Sequence, residues 1–237
     1  NINDKPHVNI IGEHSPWRIL ANKAYKSINT DFLLGSFGAG CGATTATLKG
    51  GQGSSSYSQT FSNGRKYVVG AIVINNAVGN PLLNEGPHFL SAYLEIGDEF
   101  GGCGVSKDLY DNILRAKRLP SSIEQNNVFN NISSNTVIGV VATNAPLTRS
   151  NLKRLAIMAH DGIARSLSPS HTPMDGDTIF AITTCQNIKE QLLENVDILA
   201  LGARGSDCVA RACNRAVYEA EAIGNSKPGW KNLFRSK

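Results

Sequence analysis

Residues 121–148 read Ser121-Ser-Ile-Glu-Gln-Asn-Asn-Val-Phe-Asn-Asn-Ile-Ser-Ser-Asn135-Thr136-Val-Ile-Gly-Val-Val-Ala-Thr-Asn-Ala-Pro-Leu-Thr148. Nine of the first fifteen are Asn or Ser, a polar and flexible composition that marks a joint. At Thr136 the character changes. Val-Ile-Gly-Val-Val-Ala is the apolar run of a buried strand. Thr148 then offers an N-cap hydroxyl to a helix of about 18 residues. Along it Leu152, Leu155, Ala156, Ala159, Ile163, Ala164 and Leu167 recur at i, i+3, i+4 spacing.

The same reading extends in both directions. Downstream, a turn-rich loop from Pro169 to Gly176 leads into a strand from Asp177 to Thr184. Two helical stretches follow, Ile188 to Ala200 and Asp207 to Ile223, with Gly202 and Gly205 between them. Upstream, Ser56 to Asn76 reads as a hairpin turning at Asn63-Gly64, a two-residue turn signal. Its return strand, Lys66 to Asn76, is so continuously apolar that a sheet covered on both faces is expected. Two glycine-rich segments precede it, Gly35 to Gly42 and Gly50 to Gly53. Ser15-Pro16-Trp17 opens a further helix, running to about Ile28. Buried strands mixed with long amphipathic helices predict a layered α/β domain.

Composition removes several function classes. The 237 residues are 41% hydrophobic and 18% charged, so the chain is long and apolar enough to bury a core. Lys and Arg number 23 against 19 Asp and Glu, and the net +4 is scattered. Aromatic residues make up 7% and are not interleaved with basic ones. Neither feature suits a nucleic-acid surface. No apolar run approaches the roughly 18 residues of a membrane span. The five cysteines form no Cys-x-x-Cys pair, which argues against zinc and thioredoxin-like chemistry. Free thiols fit a reducing compartment, and a cytoplasmic location is expected. The first residues carry no basic segment followed by an apolar one, so no signal peptide is read there. Gly35-x-x-Gly38-x-Gly40 lacks the Gly-Lys-Ser/Thr ending of a phosphate loop and the dinucleotide spacing.

A threonine that opens a buried strand just after a flexible joint has one chemical use of note. Its hydroxyl is a weak nucleophile without a base. If the chain is cut before it, its own α-amine supplies that base. Such an amine titrates near 7.7–8.0, so a useful fraction of it accepts protons at neutral pH. The hydroxyl can make the cut itself by attacking the Asn135 carbonyl. By pattern alone, however, Thr after Asn at a strand start is ordinary. Asp175-Gly-Asp177 reads as a turn, Lys49 beside Gly50-Gly51 as a solvated lysine and Asn76 as a turn former. His160 and Asp161, adjacent on a helix, point about 100° apart and form no dyad. His160 reads as a packing residue.

Thr136 to Thr148 resembles the nucleophile segment of the self-processing D-aminopeptidase/β-peptidyl aminopeptidase family, most closely its nylon-oligomer (6-aminohexanoate oligomer) hydrolase branch. Met158-Ala-His-Asp-Gly-Ile-Ala-Arg165 and His171-Thr-Pro-Met-Asp175-Gly-Asp177-Thr-Ile-Phe-Ala181 resemble that branch too. So do Gly35-Ser-Phe-Gly-Ala-Gly-Cys-Gly-Ala-Thr44, Leu48-Lys49-Gly-Gly51, Asn76-Ala-Val-Gly79 and Glu95-Ile-Gly-Asp-Glu-Phe-Gly-Gly102, in the family's order. The resemblance covers about residues 10–105 and 136–225.

The resemblance implies a four-layer α/β/β/α sandwich, the architecture shared with ornithine acetyltransferase. It implies one self-processed domain over 1–237, split into an α-chain part, 1–135, and a β-chain part, 136–237, with 106–135 as linker. It further implies a longer stretch before the block at Gly35 than the 34 residues here, so the family's N-terminal region is expected to be lacking.

For the site, the resemblance implies Thr136 as nucleophile and Asn135–Thr136 as the cleaved bond. Asp175 and Asp177 would orient the nucleophile and tune its amine. Lys49 would be a site cation and Asn76 an oxyanion donor, with Asn75 beside it as a competing candidate. Gly38 and Gly40 would offer backbone N–H groups to substrate. The implied activity is hydrolysis of short peptides or linear amide oligomers without metal or organic cofactor, by a homo-oligomer of processed heterodimers. Nucleic acid and membrane are not expected partners. Two alternatives remain: an acyltransferase of the ornithine acetyltransferase type, and an uncleaved relative serving as a structural or binding module.

Overall fold

The strand that begins at Thr136 is an inner strand of a four-stranded mixed sheet. The computed structural model describes residues 16–83, 86–107, 135–186 and 193–235. They divide into two compact units, the first ending at Leu33 and the second running from Leu34. The first contains helix α1 (Pro16–Lys26). Most of the expected linker and the start of the expected helix at Ile188 lie outside the described residues.

The second unit holds the sheet. β1 (Gly51–Thr60) and β2 (Lys66–Asn76) form an antiparallel hairpin, with Gly51 opposite Asn75 and Thr60 opposite Lys66. β2 pairs antiparallel with β3 (Thr136–Thr143), and β3 pairs parallel with β4 (Thr178–Thr183), giving the order β1-β2-β3-β4. The parallel pair needs a crossover, and α2 (Arg149–Ser166) supplies it. Thr148 caps α2 as expected, its side chain accepting from the Asn151 N–H at 3.3 Å.

Three expectations are corrected. First, the hairpin turns through Ser62-Asn63-Gly64 and not through two residues. The Phe61 N–H donates to the Arg65 carbonyl at 2.9 Å, and Gly64 takes a left-handed φ of 72°. A three-residue loop with glycine in that region preserves the strand register.

Second, the two separate helical stretches are one helix, α3 (Asn195–Tyr218), which runs straight through Gly202 and Gly205. These glycines face α2. A Cβ at Gly202 would lie 2.3 Å from the Met158 sulfur, and one at Gly205 would lie 2.9 Å from Leu155 Cδ1. Close packing of two helices, and not a break, explains the pair.

Third, among the described residues the sheet has one covered face. Along β2 the inward residues Val69, Ala71 and Val73 are buried, while Val68 and Ile72 are exposed. In β3, Val137 and Val141 are buried, while Ile138 and Val140 are exposed. Phe180 and Ile182 of β4 continue the open face. On the covered face α2 and α3 contribute Leu155, Ala159, Ile163, Leu201, Val209 and Ala212 to one core. Among the described residues, these apolar strands pack one face and expose the other. The second sheet of a sandwich is not among the described residues.

Glycine sets how near α3 approaches β1. A Cβ at Gly53 would lie 1.9 Å from the Ala212 carbonyl oxygen, and one at Gly51 would lie 2.5 Å from that of Ala216. The Ser55 hydroxyl donates to the Cys208 carbonyl at 2.7 Å. A second cluster, Leu48, Leu82, Phe89, Phe100, Val217, Tyr218 and Trp230, packs beyond the end of α3. α4 (Trp230–Phe234) joins it, with the Trp230 indole N–H donating to the Pro87 carbonyl at 3.1 Å. Among the described residues, no helix is long and apolar enough to cross a membrane.

Candidate active site

Sheet register places the candidate residues side by side. Asn76, the last residue of β2, stands opposite Thr136, the first of β3. Directly opposed residues share a face, so both side chains lie on the open side of the sheet. Asn75 points to the other side. It is fully buried, and its Nδ2 donates to the Cys213 carbonyl of α3 at 3.2 Å. Of the two asparagines, Asn76 is therefore the one beside Thr136. Its Oδ1 accepts from the Thr44 N–H at 2.9 Å, which ties it to the glycine-rich segment.

The Asp175-Gly-Asp177 turn meets the same strand end. The Thr136 hydroxyl donates to the Gly176 carbonyl at 2.9 Å. The Gly176 N–H donates to the Asn135 carbonyl at 3.0 Å, beside a parallel bridge between Asn135 and Asp175. Asp177 Oδ1 accepts from the Val137 N–H at 2.7 Å. Asp175 faces the loops: Oδ1 accepts from the Val78 N–H at 3.1 Å, and Oδ2 from the Thr172 hydroxyl at 2.6 Å and its N–H at 3.2 Å. The two carboxylates thus differ in work. Asp177 fixes the residue after Thr136, and Asp175 fixes the loop that follows Asn76.

Lys49 is not the solvated side chain that the flanking glycines suggested. It is buried, and its ammonium donates to the carbonyls of Ala43 at 2.6 Å, Gly50 at 3.1 Å and Gly40 at 3.3 Å. A charge at that depth requires such partners. Lys49 also bridges Thr44 through the backbone, so it braces the segment that holds Asn76. Gly40 is buried there, and its N–H donates to the Phe37 carbonyl at 2.8 Å. A Cβ on Gly40 would lie 2.3 Å from the Gln52 nitrogen. Gly38 takes a left-handed φ of 52° at the start of the same turn.

Sequence reasoning gave no role to His171, Thr172 or Gly176. All three lie in the His171-to-Ala181 block, and adjacency to the two aspartates was the available signal. His171 contacts Asp177, with Nδ1 at 2.7 Å from Oδ2, and its ring stacks on that of His160 with centroids 4.2 Å apart. Among the described residues, no three His, Cys, Asp or Glu side chains cluster as a metal site would require.

A strand-first threonine, a facing asparagine and a paired-aspartate turn meet at one strand end, and comparison with known proteins gives the family. Residues 2–228 match the model of peptidase family S58, and the chain belongs to that family. It is 36% identical over 203 residues to an uncharacterized aminopeptidase of Mycobacterium leprae, covering 80% of this chain and 50% of that protein. A 6-aminohexanoate-oligomer endohydrolase of Paenarthrobacter ureafaciens is 40% identical over 52 residues, 22% of this chain and 15% of that one. Among solved structures, the L-aminopeptidase D-Ala-esterase/amidase of Ochrobactrum anthropi, described as a variant of the Ntn-hydrolase fold, aligns with a TM-score of 0.60 at 24% identity. That match covers 86% of this chain and 50% of the other. The β-aminopeptidase of a Burkholderia species aligns with a TM-score of 0.58 at 20% identity, over 89% of this chain and 54% of that one. The fold is of this Ntn-hydrolase type. The chain spans about half the length of the M. leprae relative.

Proposed function

We propose that this chain carries the nucleophile of an amide hydrolase acting on short peptides or linear amide oligomers, and that it creates the nucleophile by cutting itself between Asn135 and Thr136. The observation that carries this reading is the position of Thr136. It is the first residue of β3, opposite Asn76, with its hydroxyl on the Gly176 carbonyl.

In the uncut chain the Thr136 nitrogen is an amide. Its hydroxyl oxygen attacks the Asn135 carbonyl carbon, the C–N bond breaks, and the nitrogen takes up the proton. Residue 135 is then held as an ester on the Thr136 oxygen. The Gly176 N–H already engages the Asn135 carbonyl oxygen, where negative charge develops during attack. Water hydrolyses the ester, leaving a carboxylate on Asn135 and a free α-amine on Thr136.

In turnover that amine accepts the hydroxyl proton while the oxygen attacks a substrate amide. Asn76, with Oδ1 engaged by Thr44, offers Nδ2 to the oxyanion. The amine product leaves with the proton, and water releases the acyl group. Aminopeptidases among the relatives support a peptide substrate, and the partial match to a 6-aminohexanoate-oligomer endohydrolase supports an amide oligomer. The working form under this reading is a homo-oligomer of processed heterodimers. A cytoplasmic setting suits its free cysteines.

Intact mass spectrometry of the wild type beside Thr136→Ala tests the reading. Two chains that meet between Asn135 and Thr136 in the wild type, and one chain in the variant, are expected. A wild type that stays whole through long incubation at neutral pH overturns it.

A further inference from the structure

His171 stands apart from the other residues near the site by its backbone. Its φ of 53° makes it the one residue other than glycine in the left-handed region among those described. Side chains with a Cβ rarely adopt that conformation, and where they do the surroundings hold them there. Here the holding group is Asp177. Its Oδ2 accepts from the His171 backbone N–H at 3.2 Å and from Nδ1 at 2.7 Å. One residue thus grips one carboxylate oxygen twice. The carboxylate is almost fully buried, whereas about a third of the His171 side chain is exposed.

The other oxygen, Oδ1, holds the Val137 N–H at 2.7 Å. A carboxylate only accepts, so Nδ1 carries a proton in this contact. On its face the ring lies against His160 of α2, with planes 18° apart. Asp177 from its own loop and His160 from the crossover helix are the titratable groups in contact with it.

We infer that His171 is a positioning residue: it clamps Asp177 so that the carboxylate holds the first peptide of β3, and Thr136 with it, in place for attack. The inference rests on the reading of Thr136 as nucleophile. His171 touches neither the Thr136 hydroxyl nor the Asn135 carbonyl in any contact described, and it acts through Asp177. The left-handed backbone is what brings its N–H and its Nδ1 to the same oxygen.

Three substitutions in the full chain separate the possibilities. His171→Asn keeps an N–H donor near the Nδ1 position and tolerates the left-handed backbone. His171→Phe keeps a ring on His160 and removes the donor. His171→Gly accepts the backbone and removes both. Two quantities are read for each: hydrogen exchange of the Val137 amide, and the rate at which the chain beginning at Thr136 appears.

The clamp predicts that His171→Asn stays close to wild type. Exchange at Val137 should quicken by about tenfold or more in His171→Phe and His171→Gly, as for loss of a hydrogen bond to a charged group, with cleavage slowed in the same order. Phe behaving as wild type in both readouts, or Asn failing as badly as Gly, overturns the inference. Should His171→Phe not fold, the ¹⁵N shifts of His171 in the wild type decide. A protonated Nδ1 supports the clamp, and a proton on Nε2 alone refutes it. A wild type that never cleaves removes the nucleophile reading, while the exchange pattern at Val137 still judges the clamp.

Discussion

Asn76 stands directly across the β2–β3 ladder from Thr136, while its neighbour Asn75 turns to the opposite face and bonds the Cys213 carbonyl of α3. Two adjacent asparagines therefore have separable duties. Asn76→Ala is expected to slow amide hydrolysis by roughly 10²–10³-fold, as for loss of an oxyanion donor, and to cost about 1 kcal/mol of stability by leaving the Thr44 N–H without its acceptor. Asn75→Ala should instead lower stability by about 1–3 kcal/mol by removing a buried hydrogen bond to the α3 backbone and leaving a void in its place. Time-resolved mass spectrometry and urea titration of the two variants check the split.

Lys49 supplies donors to three backbone carbonyls from a buried position. Lys49→Met fills a similar volume and removes every donor. It should cost about 2–4 kcal/mol, since breaking a buried charged contact leaves its partners unsatisfied. A urea midpoint unchanged from wild type would count against this bracing role.

Glycine substitutions should differ by what they meet. Gly53→Ala drives a methyl into the backbone of α3 at Ala212, which cannot yield without moving the helix, and a loss of about 3 kcal/mol or more is expected. Gly202→Ala meets the flexible side chain of Met158 and gains helix propensity of about 1 kcal/mol, so it should be nearly neutral. Thermal melts of the two proteins give the contrast directly.

The cysteines divide by environment. Burial pushes the thiol of Cys213 up to about 12 and that of Cys208 up to about 11. Burial, with Glu95 nearby, also raises Cys103. The thiolate is the reactive form, so alkylation of the native protein near pH 8 should mark exposed Cys41 first. Cys103 should follow more slowly, and Cys208 and Cys213 only on unfolding. The same shifts set a sign for stability. The folded values lie above the ordinary thiol value of 9.0, so the contribution is complete below about pH 9 and declines as pH rises toward 12. Peptide mapping after iodoacetamide, and urea midpoints from pH 8 to 11, test both statements.

Local chemistry was legible where one element carries its own signal. The stripe from Leu152 to Leu167 and the Thr148 cap fix α2, and the apolar run after Thr136 fixes β3. What the sequence does not display is which neighbour an element meets. Gly202 and Gly205 look like a break until α2 is seen packing against them. Ile72 and Val140 look buried because an apolar strand reads alike whether one face or both is covered. At the site, ordered blocks pointed to Thr136, Asn76, Asp175 and Asp177, and the fold brings these four to one strand end. The surroundings of Lys49 and the grip of His171 on Asp177 depend on contacts through space and on a backbone angle, and neither leaves a pattern in the chain.

The hold on the start of β3 has a consequence for the order of events. The Val137 N–H is tied to Asp177, the Thr136 hydroxyl to Gly176, and the ladder to β2 begins at Thr136 itself. These moorings all lie on the downstream side of the proposed break. Scission would leave Asn135 moored only through Gly176 and its bridge to Asp175 and keep the new terminus at anchor, so the tool would emerge already in its working berth.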